Sequence, residues 1–443
     1  MSTHGDGTPL DVSPVAGEAD RPGTAGTLRL TPIVQEQAIA RLRRLYQLNP
    51  IGSNLMMGPV LFLIALEYGA SDLAISILYA GPWLAGVVAV LAPLLCSRID
   101  PARITAQAWI MRAICGLFYV LLPFLFLSQA KVLLLVACFL GFSLARMLGI
   151  IALNVVTASY VDQARRPAVI AYAHVWYNTG VLGSTVLSTA VLGWHSGEWG
   201  FVAVLTLGVL ATFAAVVPLK GFPLVGTRQE TLRPLPWSEP GVREALRTTA
   251  LVVPQAVAAA YQFSALKSIY DVDTGMIFLL TVLGLALAIA ATHVLSRVLP
   301  VIGLKRVQIG VHAALALVGL LWAFAGVWPE TLRVGCCLVL YVLAQPLLAM
   351  SLALMSAIQV DRLPRRNVVG ASALIQGVSA ASGGLGVVVI WGTGHLPVAA
   401  VPGAGPYAHA FLLWAACSLG ICLLGLIAGR APTMGELAAV ERE

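Results

Sequence analysis

The sequence predicts an all-α membrane protein with twelve transmembrane helices arranged as two six-helix bundles. Three observations lead to this fold class. The 443 residues are 59% hydrophobic and 11% charged, whereas a soluble globular chain is about 45–50% apolar and about 25% charged. Long apolar blocks alternate with short basic segments along almost the whole chain. Two of these basic segments recur in the second half of the chain.

The two ends of the chain are expected to be cytosolic tails, at residues 1–50 and 431–443. The first 27 residues are rich in Gly, Pro, Asp and Thr, and they lack the basic and apolar regions of a signal peptide. Residues 31–47 carry apolar side chains at helical spacing beside three arginines. This pattern predicts a short amphipathic helix on the inner membrane surface, and a plain extension of the first span explains it equally well.

The apolar blocks between turn and charge signals are each long enough to cross a bilayer as a helix. They are too long, and alternate too little, to be strands of a membrane barrel. The twelve predicted spans are 51–67, 73–96, 104–127, 131–158, 168–193, 200–219, 248–268, 275–296, 306–328, 332–358, 368–391 and 407–428.

Lys and Arg set the predicted orientation. With the N-terminus inside, 22 of the 27 basic residues fall in the tails and the inner loops. Only Lys131, Lys267 and Arg333 fall outside, and Arg112 and Arg146 lie within spans. This asymmetry is the pattern of cytoplasmic loops, so the cytoplasmic membrane is the expected location. Because the basic residues form no single patch, nucleic acid is not an expected partner.

The longest inner connection, residues 221–247, contains four prolines that disfavour a continuous helix. It separates a predicted N-terminal bundle, residues 51–220, from a C-terminal bundle, residues 248–430. The loop VDQARRPAV that begins at Val161 is matched by VDRLPRRNV from Val360. The loop SRIDP from Ser97 is matched by SRVLP from Ser296. Such repeats indicate two bundles related by an axis along the membrane normal.

The chain resembles the major facilitator superfamily in four features: twelve spans, a 6+6 repeat, a central inner loop and basic loops after spans two and eight. The superfamily's loop after span two usually has an Asp where this chain has Ser97, although Leu95 and Arg98 fit. The Gly-Pro-x-x-Gly-Gly pattern typical of drug/proton antiporters is absent from span five, which argues against a proton-driven multidrug exporter. The resemblance implies that spans one, four, seven and ten line a central cavity.

An ionisable residue inside a span is a functional candidate, because burying a charge is costly. Arg146 lies near the middle of span four and is expected either to bind an anionic substrate group or to pair with backbone carbonyls; the first is preferred. Arg112 is expected to snorkel towards the inner surface. No Asp or Glu lies deep in a span, so His174 is the candidate for proton coupling, although a structural, hydrogen-bonded histidine is slightly preferred.

The remaining polar side chains within spans are mostly amides, which either bind substrate or join helices. The predicted substrate-binding set in the central cavity is Asn54, Arg146, Asn154, His174, Tyr177, Gln255, Gln262, Tyr341, Gln345 and Gln376. A cytosolic gate of charged loop residues is implied by the resemblance, with Arg98, Arg103, Asp162, Arg297, Lys305 and Asp361 as its members.

These features favour a secondary active or facilitated transporter that moves a small organic solute by alternating access, with export preferred to uptake. The expected partners are the solute, the lipid bilayer and a coupling ion such as a proton, and a monomer is expected. The alternative is a transporter-fold receptor or assembly factor without transport. The absence of a Walker motif and of hydrolase motifs argues against ATP use and against an enzyme, and neither a cofactor nor a metal site is expected.

Overall fold

The structure is a computed structural model that describes residues 32–161, 166–195, 197–222, 236–364, 367–394 and 407–427. All regular elements in these ranges are helical. The α-helices are α1 (Pro32–Met57), α2 (Pro59–Glu67), α3 (Asp72–Leu84), α4 (Ala92–Arg98), α5 (Pro101–Tyr119), α6 (Ser128–Tyr160), α7 (Arg166–Trp194), α8 (Glu198–Ala214), α9 (Pro240–Ser268), α10 (Thr274–Ile302), α11 (Leu304–Ala323), α12 (Glu330–Asp361), α13 (Val368–Gly394) and α14 (Ala408–Ile427).

Ten helical stretches among the described residues are long and apolar enough to cross a membrane. They correspond to ten of the twelve predicted spans and confirm an all-helical membrane protein. The two longest are α6 and α12, which begin and end within three residues of the predicted spans 131–158 and 332–358.

The first and fifth predicted spans are not among these ten, for different physical reasons. The first is divided at Gly58, between α1 and α2, so neither helix supplies an uninterrupted apolar stretch. The fifth is the continuous helix α7, which is rich in hydroxyl and amide side chains. Its Ser184, Thr185 and Thr189 hydroxyls donate to carbonyls of their own helix, which satisfies these polar groups inside a helix bundle.

The second predicted span changes its helix type midway. A 3-10 helix, Ala85–Leu91, separates α3 from α4. Runs of 3-10 helix longer than three or four residues are uncommon, and within a longer helix they often mark a hinge. The segment packs against α13 of the other half of the chain, where a Cβ atom at Gly86 would lie 2.6 Å from the Cβ of Ala380.

The N-terminal part of α1 is packed against the helices around it. Ala38, Leu42 and Leu45 are buried together with Trp109 of α5 and Tyr160 of α6. Residues 32–47 continue into the predicted first span without a break until Gly58.

Apolar contacts between the two halves of the chain are concentrated at the end of the molecule that carries the loops with Arg98, Arg103, Arg297 and Lys305. We call this the basic end. Three buried clusters there combine residues of both halves. The clusters pair Cys96, Ile104 and Val155 with Val242, Ile358 and Leu363; Ala85, Ala89 and Met147 with Ala373; and Ile170 with Ala357 and Val360.

Towards the other end, each half has a core of its own. Leu61, Phe139 and Phe201 belong to a buried cluster whose described members all come from the first half. Leu315 and Trp414 belong to a cluster of the second half, and only Trp83 of α3 joins it from the first half among the described residues. The two halves are therefore closed against each other at the basic end and packed separately at the opposite end.

Candidate functional site

Arg146 lies near the middle of α6, on the side of the helix that faces α5 and α7. Its side chain is half-buried, and no hydrogen bond or ion pair joins it to another described residue. Its positive charge interacts with that of Arg112 and with the hydroxyl of Tyr177. The sequence left open a pairing of Arg146 with backbone carbonyls, and no carbonyl in the described part of the chain makes such a pair.

Arg112 is completely buried, with 0% of its surface exposed. Its guanidinium donates to Oδ1 of Asn49 at 2.8 Å and to Oγ of Ser53 at 2.5 Å. The same group lies 4.8 Å from the ring of Trp109 and 4.6 Å from that of Phe142. Such cation–π contacts replace part of the lost hydration of a desolvated arginine.

The expectation that Arg112 snorkels is therefore wrong. The position of Arg112 along α5 predicted a location near the inner end of the helix. Side chains of α1 and α6, however, surround its guanidinium and bury it. Trp109 and Arg112 are three residues apart, and Asn49 and Ser53 are four apart, so each pair shares one helix face. That spacing is the signal in the sequence that could have revealed the buried network.

His174 and Tyr177 lie on one face of α7, and their ring centroids are 6.1 Å apart. Both side chains are half-buried. No hydrogen bond joins either of them to another described residue. Tyr177 interacts with Arg146, and the polar atoms of both rings are free of hydrogen bonds to described residues.

Asn54 joins α1 to α7. Its Nδ2 donates to Oγ of Ser184 at 2.9 Å, to Oγ1 of Thr185 at 3.0 Å and to the carbonyl of Val181 at 3.3 Å. This arrangement is the helix-joining role that amides often take in membranes.

Two amides connect the halves of the chain. Asn154 of α6 donates to Oγ of Ser372 on α13 at 3.3 Å. Asn178 of α7, which the sequence did not single out as a site residue, donates to Oγ1 of Thr292 on α10 at 3.4 Å. Both bonds belong to the contact between the halves, so separating the halves would break them.

Gln255 and Gln262 lie seven residues apart on one face of α9 and are 0% and 1% exposed. Neither amide nitrogen nor amide oxygen of either residue has a hydrogen-bond partner among the described residues. An unpaired buried amide costs free energy. Both glutamines are therefore available for a bound solute or for water.

The predicted site residues of α12 and α13 contact neighbouring helices. The Tyr341 hydroxyl lies 2.8 Å from Oγ1 of Thr281 and joins α12 to α10. Gln345 is half-buried and packs against Gly284 of α10. Gln376 is buried, and its carbonyl faces Gly86 of the 3-10 helix across the contact between the halves.

A family model described as Major Facilitator Superfamily matches residues 48–387, which is most of the chain. The chain belongs to the major facilitator superfamily. The superfamily consists of transporters, so this facilitator is not an enzyme, and its fold is that of an integral membrane transporter.

Solved structures show the same fold at low sequence identity. The Escherichia coli fucose:proton symporter FucP is 14% identical, with a TM-score of 0.66 over 89% of this chain and 98% of that one. The proton:xylose symporter XylE is 13% identical, with a TM-score of 0.65 over 92% and 98%. A bacterial homologue of the iron transporter ferroportin, in an outward-facing state, is 13% identical, with a TM-score of 0.63 over 89% and 98%. No curated protein matches the chain.

The charged loop residues of the facilitator surround its basic end. Arg98, Arg103 and Arg297 are exposed, whereas Lys305 is half-buried and engaged by another residue. Asp361 lies 3.6 Å from Arg362, which also pairs with Glu244 of α9 at 3.1 Å.

The predicted gate also includes Asp162, which lies outside the described residues. Asp100, which stands close to the position of Ser97, instead caps α5 by accepting a hydrogen bond from the backbone N–H of Ala102 at 2.8 Å. This contact fixes the start of α5.

Proposed function

We propose that this facilitator is a secondary active or facilitated transporter that moves a small organic solute across the cytoplasmic membrane by alternating access. The observation that carries the proposal is the asymmetric packing of its two halves. They share buried clusters at the basic end and have separate cores at the other. Two rigid halves that touch at one end can expose a site between them to either side by rocking.

The proposal includes the finer architecture that the sequence predicts. Twelve spans form two six-helix bundles, residues 51–220 and 248–430, with both termini in the cytosol. The divided first span and the polar helix α7 supply the two crossings beyond the ten apolar stretches. The basic end is then the cytosolic end, because the loops there hold most of the Lys and Arg residues.

The proposed solute site lies between the halves, midway along the helices. The half-buried polar side chains that support it are Arg146, Asn154, His174, Tyr177 and Gln345. The unpaired amides of Gln255 and Gln262 add hydrogen-bonding capacity on α9. At the cytosolic end, Arg98, Arg103, Arg297, Lys305 and Asp361, with Asp162, form the proposed gate. Export is the preferred direction.

Counterflow in proteoliposomes tests the proposal. Liposomes containing the purified full chain are loaded with one solute at millimolar concentration, and entry of the same labelled solute is measured across a library of metabolites. We expect at least one labelled solute to accumulate transiently above the level in protein-free liposomes, because an alternating carrier exchanges solute without net flow. If no solute in a broad library shows counterflow, the receptor or assembly role without transport becomes the better account.

Arg146→Gln and Arg44→Gln are matched variants for this assay. Each removes one positive charge, but Arg44 is exposed on α1 and is not a member of the proposed cavity. We expect counterflow to fall in Arg146→Gln and to persist in Arg44→Gln at equal protein content. Equal loss in both variants would show that the effect of the Arg146 substitution is not specific to the cavity.

A further inference from the structure

Arg112 and Arg146 lie close enough in the first half of the facilitator for their charges to interact, and no described carboxylate pairs with either of them. The charges of Arg112 and Arg146 repel each other. Every described Asp and Glu between residues 48 and 427 lies in a loop or within the first or last five residues of a helix. Ion pairs in the described part of the chain involve Lys131 and Arg362, and neither of these two arginines. The site therefore carries two positive charges that no described residue neutralises.

Arg112 is held in place by its surroundings. Oδ1 of Asn49 accepts hydrogen bonds from Arg112, from Nε1 of Trp109 at 3.0 Å and from Ser53 at 3.3 Å. This network and the two aromatic rings fix the guanidinium as a buried positive charge. Arg112 thus acts as a positioning residue that makes the space beside it favourable for an anion.

Unlike the guanidinium of Arg112, that of Arg146 donates no hydrogen bond to a described residue. Its half-buried side chain is bonded to no described residue, and a guanidinium offers five N–H donors in a planar fork. Tyr177 adds a hydroxyl beside it. A carboxylate or a phosphate matches this fork because two of its oxygens can accept in parallel.

We propose that the transported solute is an organic anion whose carboxylate or phosphate group binds Arg146 and Tyr177, with Arg112 as the fixed second charge. This inference rests on the proposed function for the statement that the bound anion is the solute. The site itself is defined by the buried Arg112 and the half-buried Arg146. Uncompensated buried charges are costly, so the anion stabilises the folded protein by pairing with them.

Thermal unfolding of the purified full chain in lipid nanodiscs tests the site without transport. The probes are sodium phosphate and sodium acetate, each titrated at pH 7 with the ionic strength held constant by sodium chloride. We expect a saturable rise in Tm for the wild type and for Arg44→Gln with at least one probe. In Arg146→Gln the half-maximal concentration is expected to rise at least about tenfold, because a charge-assisted pair is lost.

Arg146→Lys separates charge from geometry, and it replaces the glutamine variant if that variant does not fold. A lysine keeps the charge but cannot form two parallel hydrogen bonds. We expect a half-maximal concentration between those of the wild type and Arg146→Gln. The proposal is overturned if neither probe changes the Tm of the wild type, or if the Arg146 variants respond as the wild type does.

The two proposals can fail independently. Counterflow of a neutral sugar, unchanged in Arg146→Gln, would overturn the anion site and leave transport standing. Saturable binding of phosphate or acetate that depends on Arg146, without counterflow of any solute, would support the anion site and contradict transport.

Discussion

The 3-10 helix Ala85–Leu91 contacts α13, and adding a single methyl group at this contact should open the basic end. Gly86 lies at this contact, and in Gly86→Ala the new Cβ would lie 2.6 Å from the Cβ of Ala380 and closer still to the Gln376 carbonyl oxygen. Carbon atoms in contact normally stand about 3.5–4.0 Å apart. Because a carbonyl oxygen belongs to the backbone, α13 must shift by about 1 Å to relieve the overlap.

The overlap in Gly86→Ala destabilises the conformation with a closed basic end and not the open one. Overpacking of this kind costs about 1–3 kcal/mol, and it applies only while the basic end is closed. If the halves rock apart at this end, the strain is released. The equilibrium between the closed and the open basic end therefore shifts towards the open form by about 5- to 150-fold.

Distances between spin labels measure this shift. Gln107 of α5 and Val301 of α10 are exposed residues near the basic end, one in each half. Cysteines at these two positions, in a background without the seven native cysteines, carry the labels. We expect Gly86→Ala to increase the population of long distances relative to the parent protein.

Gly377→Ala is the matched control, because Gly377 is on α13, next to Gln376, and has open space where its Cβ would lie. It is expected to leave the distance distribution unchanged. A folded Gly86→Ala protein with the same distribution as the parent would refute the reasoning, since the strain would then be absorbed without opening.

Three further predictions concern stability, and thermal or denaturant unfolding in nanodiscs measures each of them. Asn54→Ala removes three hydrogen bonds between α1 and α7 and should destabilise the protein by about 1–2 kcal/mol; an unchanged midpoint would contradict a joining role. Gly149→Ala places a Cβ 2.8 Å from Cε3 of Trp109 on α5, and closer still to Cζ3, and should cost about 1–3 kcal/mol. Gly183→Ala, with open space around it, should not destabilise. Glu198→Gln breaks a partly exposed ion pair with Lys131 and should cost at most about 1 kcal/mol. Lys131→Ala should cost more than Glu198→Gln, because it also removes a cation that lies 4.6 Å from a tyrosine ring; the opposite order would contradict this reasoning.

Ten of the predicted spans could be derived from the sequence because apolar length alone determines them. The spans 131–158 and 332–358 differ from α6 and α12 by at most three residues at each end. The interior of the second span could not be predicted in this way. Its 3-10 segment packs against Ala380 of α13, which is distant in sequence.

The candidate site was only partly predictable. The sequence identified Arg146 as exceptional, because a charge in the middle of an apolar block is rare. It placed Arg112 incorrectly, because helix position does not reveal which residues of α1 and α6 surround it. Helical spacing put Gln255 and Gln262 on one face of α9, but their burial depends on the neighbouring helices.

Alternating access itself is tested most directly by measuring both ends of the molecule in one preparation. The Gln107–Val301 pair reports the basic end. Leu127, before α6, and Leu332, in α12, are exposed residues of the two halves at the opposite end and provide a second spin-label pair. When a solute that shows counterflow is added, the account predicts that one pair lengthens while the other shortens. Counterflow with both distances unchanged, or with both changing in the same direction, would contradict it.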